Sequence, residues 1–202
     1  MAGQTPSWED QIAEQQRMEW AEMTGGMQPV DDLDVGDFHR TSEYKQWFKL
    51  VQEDGMHIVD APSGMHEDRD LVAEACFSNG RALQHVSEAF RGDVETVACA
   101  VSNYPEALAW ASEELRDHRL VVLKAVRLCG GALEYASDGL RGDKEVVLAA
   151  VEQRGVALRY ASLDLRRDPE VVLAATRQTK LALKYAAKEL RADESFMQKA
   201  TR

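Results

Sequence analysis

No run of apolar residues in this chain of 202 approaches the ~20 needed to cross a bilayer. The first 30 residues carry no signal-peptide core, and position 2 is Ala, so the glycine required for N-myristoylation is missing. Cysteine is scarce. Cys76, Cys99 and Cys129 give an odd count at wide spacing, with no CxxC pair, which argues against a disulfide framework or a zinc site and points to a reducing intracellular compartment, cytoplasm or organelle interior. A basic excess is also lacking. The formal charge is −11, whereas a nucleic-acid-binding surface needs surplus Lys and Arg to neutralise phosphates, so no nucleic-acid partner is expected. No G-x-S-x-G, Gly-rich phosphate loop or paired-carboxylate signature occurs, and a non-enzyme without cofactor or metal is the expectation. The five histidines (His39, His57, His66, His85, His118) are scattered, with no i, i+4 pair to hold a metal.

What is present is ordered by position. Residues 1–62 hold 13 Asp/Glu against 4 Lys/Arg, while the remaining 140 hold 22 against 20, so the acid excess is N-terminal. Beyond it the sequence repeats itself at a step of 25 residues. Leu115, Leu140, Leu165 and Leu190 fill one column, with Phe90 and Met65 before them. Arg91, Arg116, Arg141, Arg166 and Arg191 fill the next. Asp68, Asp93, Asp143, Asp168 and Asp193 follow, with His118 as the exception. Apolar triplets such as Val146-Val147-Leu148 come next, and Ala-Leu-x-aromatic-Ala then recurs as Ala107–Ala111, Ala132–Ala136, Ala157–Ala161 and Ala182–Ala186, with His85 and Val86 replacing its last two residues in Ala82–Val86. Matches of this density over four full units mark a repeat array.

Each unit reads as a pair of helices. The Asp column supplies N-caps, clearest in Asp168-Pro169-Glu170, where cap, helix-starting Pro and dipole-favoured acid stand in succession. Val146, Val147, Ala150 and Val151 then form one helical stripe. Gly80, Gly130 and Gly155 are expected to end the first helix in the left-handed conformation. The second helix is short, and Ser87, Ser112, Ser137 and Ser162 are placed to cap a further turn into Leu-Arg. Helices this short need neighbours to bury their stripes, so the fold class is all-α, an α-solenoid-like tandem array. Trp47, Phe48, Leu50 and Val51 occupy the columns of Val147, Leu148, Ala150 and Val151, which extends the array back to residue 43. The units are 43–67, 68–92, 93–117, 118–142, 143–167 and 168–192, here numbered I to VI, with a partial copy at 193–202.

The pattern resembles the domain of unknown function 4116, a family of short helical repeats built around D-x-E-V-V-L-x-A-V-x-x-x-G-x-A-L-x-Y-A-S-x-x-L-R. Asp143–Arg166 fits it nearly position for position, and the resemblance covers about residues 43–202. It implies tandem helical copies; it carries no activity.

Residues 1–42 stand apart. Ser7, Trp8, Ile12, Ala13, Trp20 and Met23 describe a capped amphipathic helix ending at Gly25-Gly26, able to shield the first weak unit or to dock on a partner. An acidic linker with Pro29 and four Asp follows over 27–41. Asp32, Asp34 and Glu43 stand at positions 1, 3 and 12 of an EF-hand-like loop, but Gly36 and Asp37 fall where a ligand and then Gly are required, so the linker reads as solvated. The expected function is a non-catalytic scaffold that binds another protein or protein assembly. The alternatives are a structural subunit anchored by its N-terminal segment and an enzyme or ligand-binding protein with an unrecognised pocket. Candidate contact residues are Trp8, Ile12 and Trp20, and the column Arg91, Arg116, Arg141, Arg166 and Arg191. The arginines also have a simpler role as cations at helix C-termini. The aromatic column Trp110, Tyr135, Tyr160 and Tyr185 reads either as inter-unit core or as a row of binding anchors.

Overall fold

The computed structural model describes residues 41–201. Ser42–Arg202 forms one compact unit, and every regular element among the described residues is helical. The array is all-α and tandem, but every unit except V, whose closing segment is a plain turn, has three helical pieces where two were expected. In unit IV these are a ten-residue α-helix, Arg119–Leu128, a six-residue 3-10 helix, Gly130–Tyr135, and a single α-turn, Asp138–Arg141. The long helices of units II, III, V and VI are Arg69–Ser78, Val94–Asn103, Lys144–Gln153 and Pro169–Gln178. Unit I opens with Ser42–Glu53, and Glu194–Thr201 is the helix of the partial copy after unit VI.

The Asp column caps as its chemistry requires. The Asp143 carboxylate accepts from the N–H groups of Glu145 and Val146 at 2.9 and 3.1 Å, and Asp168 does the same for Glu170 and Val171. His118 makes no side-chain cap bond. In the Ser column, Ser112 and Ser137 accept from Leu115 and Leu140, three residues on, whereas Ser87 does not. The short second segment is 3-10 rather than α because it is bracketed by extended residues, Cys129 at φ −142° and Ala136 at ψ 155°. A run this short gains little from the i→i+4 pattern, and 3-10 turns suit such connectors.

Val146, Val147, Ala150, Val151 and Leu158 are fully buried, as are their counterparts in units III and IV. At about 1.5–3 kcal/mol for each large apolar side chain withdrawn from water, this stripe is the main cohesive term between units.

The glycine expectation is corrected. The residue that ends each long helix is not Gly but the one before it: Asn79, Tyr104, Cys129, Arg154 and Thr179, all extended at φ −135° to −155°. Gly55, Gly80, Gly130 and Gly155 instead open the 3-10 helices, with φ outside the left-handed region. What demands Gly is the next unit. A β-carbon on Gly80, Gly130 or Gly155 would lie 2.3 Å from the carbonyl oxygen of Ala100, Ala150 or Ala175. The column marks a close approach between neighbouring backbones, not a helix stop.

Candidate interaction surface

Polar contacts repeat at the unit boundaries and decide which side chains are left to face a partner. Asn103 clamps unit II to unit III: its Nδ2 donates to the Ser78 carbonyl at 3.2 Å, and its Oδ1 accepts from the Gly80 N–H at 3.1 Å. Gln153 repeats this between IV and V, donating to the Leu128 carbonyl and accepting from Gly130. Gln178 donates to the Glu152 carbonyl at 2.7 Å. A second series is ionic. Arg69 reaches Asp93 and Glu95 at 2.8 and 3.0 Å, Lys144 reaches Asp168 and Glu170 at 2.9 and 2.7 Å, and Arg119 meets Asp143 and Glu145. In unit I the Tyr44 hydroxyl takes the cation's place and bonds Asp68 at 3.0 Å. Sequence reading missed both series, because exposed polar positions on a helix look like solvated surface. The shared step of 25 was the available signal.

The arginine column lies partly within this framework. The carbonyls of Arg91, Arg116, Arg141 and Arg166 each accept from the residue heading the next closing turn, Ser112, Ser137, Ser162 or Ala187, at 2.8–2.9 Å. The Arg166 Nε donates to the Tyr185 carbonyl at 2.6 Å. Arg116 pairs with Glu113, and Arg141 with Asp138, both within one turn. All but Arg191 are half-buried. Trp8, Ile12 and Trp20 lie outside the described residues, as do Asp32 and Asp34 of the calcium-like loop; Glu43 is an exposed residue of the first described helix.

The aromatic column is neither core nor fully free. Ala132 and Leu133 take the buried positions of the 3-10 helix, and Trp110, Tyr135, Tyr160 and Tyr185 remain half-exposed along successive 3-10 helices. Tyr104 stacks on Trp110 with ring centroids 5.9 Å apart, and the Arg81 guanidinium lies 5.1 Å over Tyr104. Arg159 lies over Tyr160, whose hydroxyl bonds Glu134 of the preceding unit at 2.5 Å. These contacts hold the Trp110 and Tyr160 rings in place. Burial, followed by the nearby Glu134 carboxylate, raises the Tyr135 hydroxyl above the ordinary phenol range, so it stays a neutral donor.

The thiols are unreactive by environment. Burial pushes Cys76 up to about 12 and Cys99 up to about 11. Cys129 is raised by burial and by Glu106, to whose carboxylate its Sγ donates at 3.2 Å. Among the described residues no three His, Cys, Asp or Glu side chains are grouped to hold a metal, and no helix is long and apolar enough to cross a membrane.

The family model for the Domain of unknown function (DUF4116) matches at residues 68–116, 118–166 and 143–191. No curated protein and no solved structure matches the chain. The three tandem matches cover more than half of the sequence and coincide with the units built above, so the chain belongs to the DUF4116 family.

Proposed function

We propose that the protein is a non-catalytic scaffold that binds another protein through the aromatic row of its 3-10 helices. The observation that carries this reading is the half-exposed line of Trp110, Tyr135, Tyr160 and Tyr185, in which Trp110 and Tyr160 are already held by neighbouring side chains. Aromatic rings with fixed rotamers contribute large contact area at low entropic cost and dominate interface hot spots. A stacked array repeats such an anchor once per unit along one surface. The arginine column flanks the same segments and supplies cations to the rim. The N-terminal residues Trp8, Ile12 and Trp20 are proposed as a second, independent attachment.

The test is affinity purification from the native source with three baits: the full chain, the chain lacking residues 1–41, and a Trp110→Ala/Tyr135→Ala/Tyr160→Ala variant. The aromatic variant should lose a partner that the full chain retains, while keeping its helical spectrum. Equal recovery by folded variant and parent would remove the aromatic row from the function. Loss only on deleting 1–41 would shift the reading to an anchored structural subunit, as would an isolated chain that requires partners to stay in solution.

A further inference from the structure

The boundary between units III and IV lacks the fastenings that its neighbours share. The Gly column reads Gly55, Gly80, Pro105, Gly130, Gly155. A β-carbon at this point would come within 2.3 Å of the opposing carbonyl at the II–III, IV–V and V–VI boundaries, closer than real β-carbons come. Pro105 carries one, so the Ala125 carbonyl of unit IV must stand further off. The helices Val94–Asn103 and Arg119–Leu128 pack less closely than the corresponding pairs at the II–III, IV–V and V–VI boundaries. The amide clamp is absent as well. Leu128 occupies the column of Asn103, Gln153 and Gln178, and Pro105 has no N–H for an amide to accept. The ionic bridge is absent too, since Val94 stands in the column of Arg69, Arg119 and Lys144 and faces His118 and Leu120 where other units offer Asp and Glu. The buried His118 Nδ1, in the column where other units place a capping Asp, is left without a partner at this same boundary. In a linear array, cohesion is a sum of nearest-neighbour terms, so losing several at one boundary localises the weakness there.

We infer that the III–IV boundary is a built-in hinge, at which the array opens and bends as two stiffer blocks, units I–III and units IV–VI. The substitutions are mutually consistent: the boundary without a clamp is also the one whose Pro needs none. The remaining links are the apolar core, the Ser137 N–H bonded to the Arg116 carbonyl at 2.9 Å, the Ser137 hydroxyl on the Asp117 carboxylate and the Cys129 Sγ on the Glu106 carboxylate at 3.2 Å. The inference concerns the array's own mechanics and stands whether or not the aromatic row binds a protein.

Native-state hydrogen exchange on the full chain tests it. Amides of residues 104–128 should exchange at least tenfold faster than those of 129–153 and 154–178, through an opening below the global unfolding transition. A repaired variant, Val94→Arg/His118→Asp/Leu120→Glu/Leu128→Gln with Pro105→Gly, should bring 104–128 to the protection of the other boundaries. Uniform protection across the boundaries in the parent would overturn the hinge. So would a folded, repaired variant whose residues 104–128 still exchange as fast as in the parent.

Discussion

Gly130 and Gly139 belong to the same unit and should respond to a methyl group in opposite ways. A β-carbon on Gly130 meets the Ala150 carbonyl at 2.3 Å, and a backbone atom cannot swing aside as a side chain can. Gly130→Ala should therefore cost about 1–3 kcal/mol, the usual range for overpacking. Gly139 lies inside the short helix Asp138–Arg141, with its nearest neighbour at an ordinary 3.6 Å. Gly139→Ala should stabilise by about 0.5–1 kcal/mol, because Gly loses more chain entropy there than Ala. Urea denaturation of the two variants reads both signs. The capping aspartates set a pH dependence on the same scale. The backbone N–H of Val146 holds the Asp143 carboxyl below the usual carboxylate range, against the opposing effect of burial and with help from Arg119. At Asp168 burial acts upward and is outweighed by Lys144 and the N–H groups of Glu170 and Val171. A carboxyl depressed in the folded state contributes stability above its unfolded value of about 3.9 and loses it as pH falls through the folded value. The urea midpoint should thus drop between pH 6 and pH 3, and Asp143→Asn should flatten the drop. A midpoint unchanged over that range would contradict the capping account.

At the level of the helical element, the amide clamp makes a prediction that no helix propensity would. Gln153 is exposed, and on a lone helix its replacement by Leu would be nearly neutral. Here Gln153→Leu removes two bonds and strands the N–H of the buried Gly130, at a cost of about 1–3 kcal/mol. Asn103→Leu should behave alike, with both measured as changes in unfolding free energy. The contrast shows how far sequence reading reached. The Asp caps, the Val-Val stripe and the closing Ser turn were legible because each is local: the residue and the group it satisfies lie within four positions. The 3-10 character was not, since six residues of Ala-Leu-x-aromatic fit a period of 3 as well as one of 3.6. The Gly column was seen and its cause mistaken, because its steric partner sits a whole unit away in Ala150 or Ala175. The aromatic row was found, with its burial undecided. A side chain facing two neighbours and the solvent has the same spacing as one facing the core.

For the whole array, equivalence of the boundaries implies that units are exchangeable where the columns agree. Removing unit V, residues 143–167, brings Arg119 against Asp168 and Glu170, and Gly130 against Ala175 and Gln178. These are the pairings each group already makes with another partner. The shortened chain should keep its mean residue helicity and unfold cooperatively at a lower denaturant concentration, as circular dichroism would record. The C-terminal end differs in kind. Lys180 occupies the Gly column in unit VI, and its ammonium donates to the Ala200 carbonyl at 2.7 Å, the group against which a Gly would pack in any earlier unit. That single lysine gives the array a direction in its history. A gene that gains or loses whole copies upstream of it still encodes matched surfaces, wherever the exchange falls within a unit. A copy inserted directly after it would meet a long charged side chain where the earlier units, Pro105 of unit III apart, present bare backbone. Duplications should therefore be tolerated better on the N-terminal side of Lys180 than directly after it.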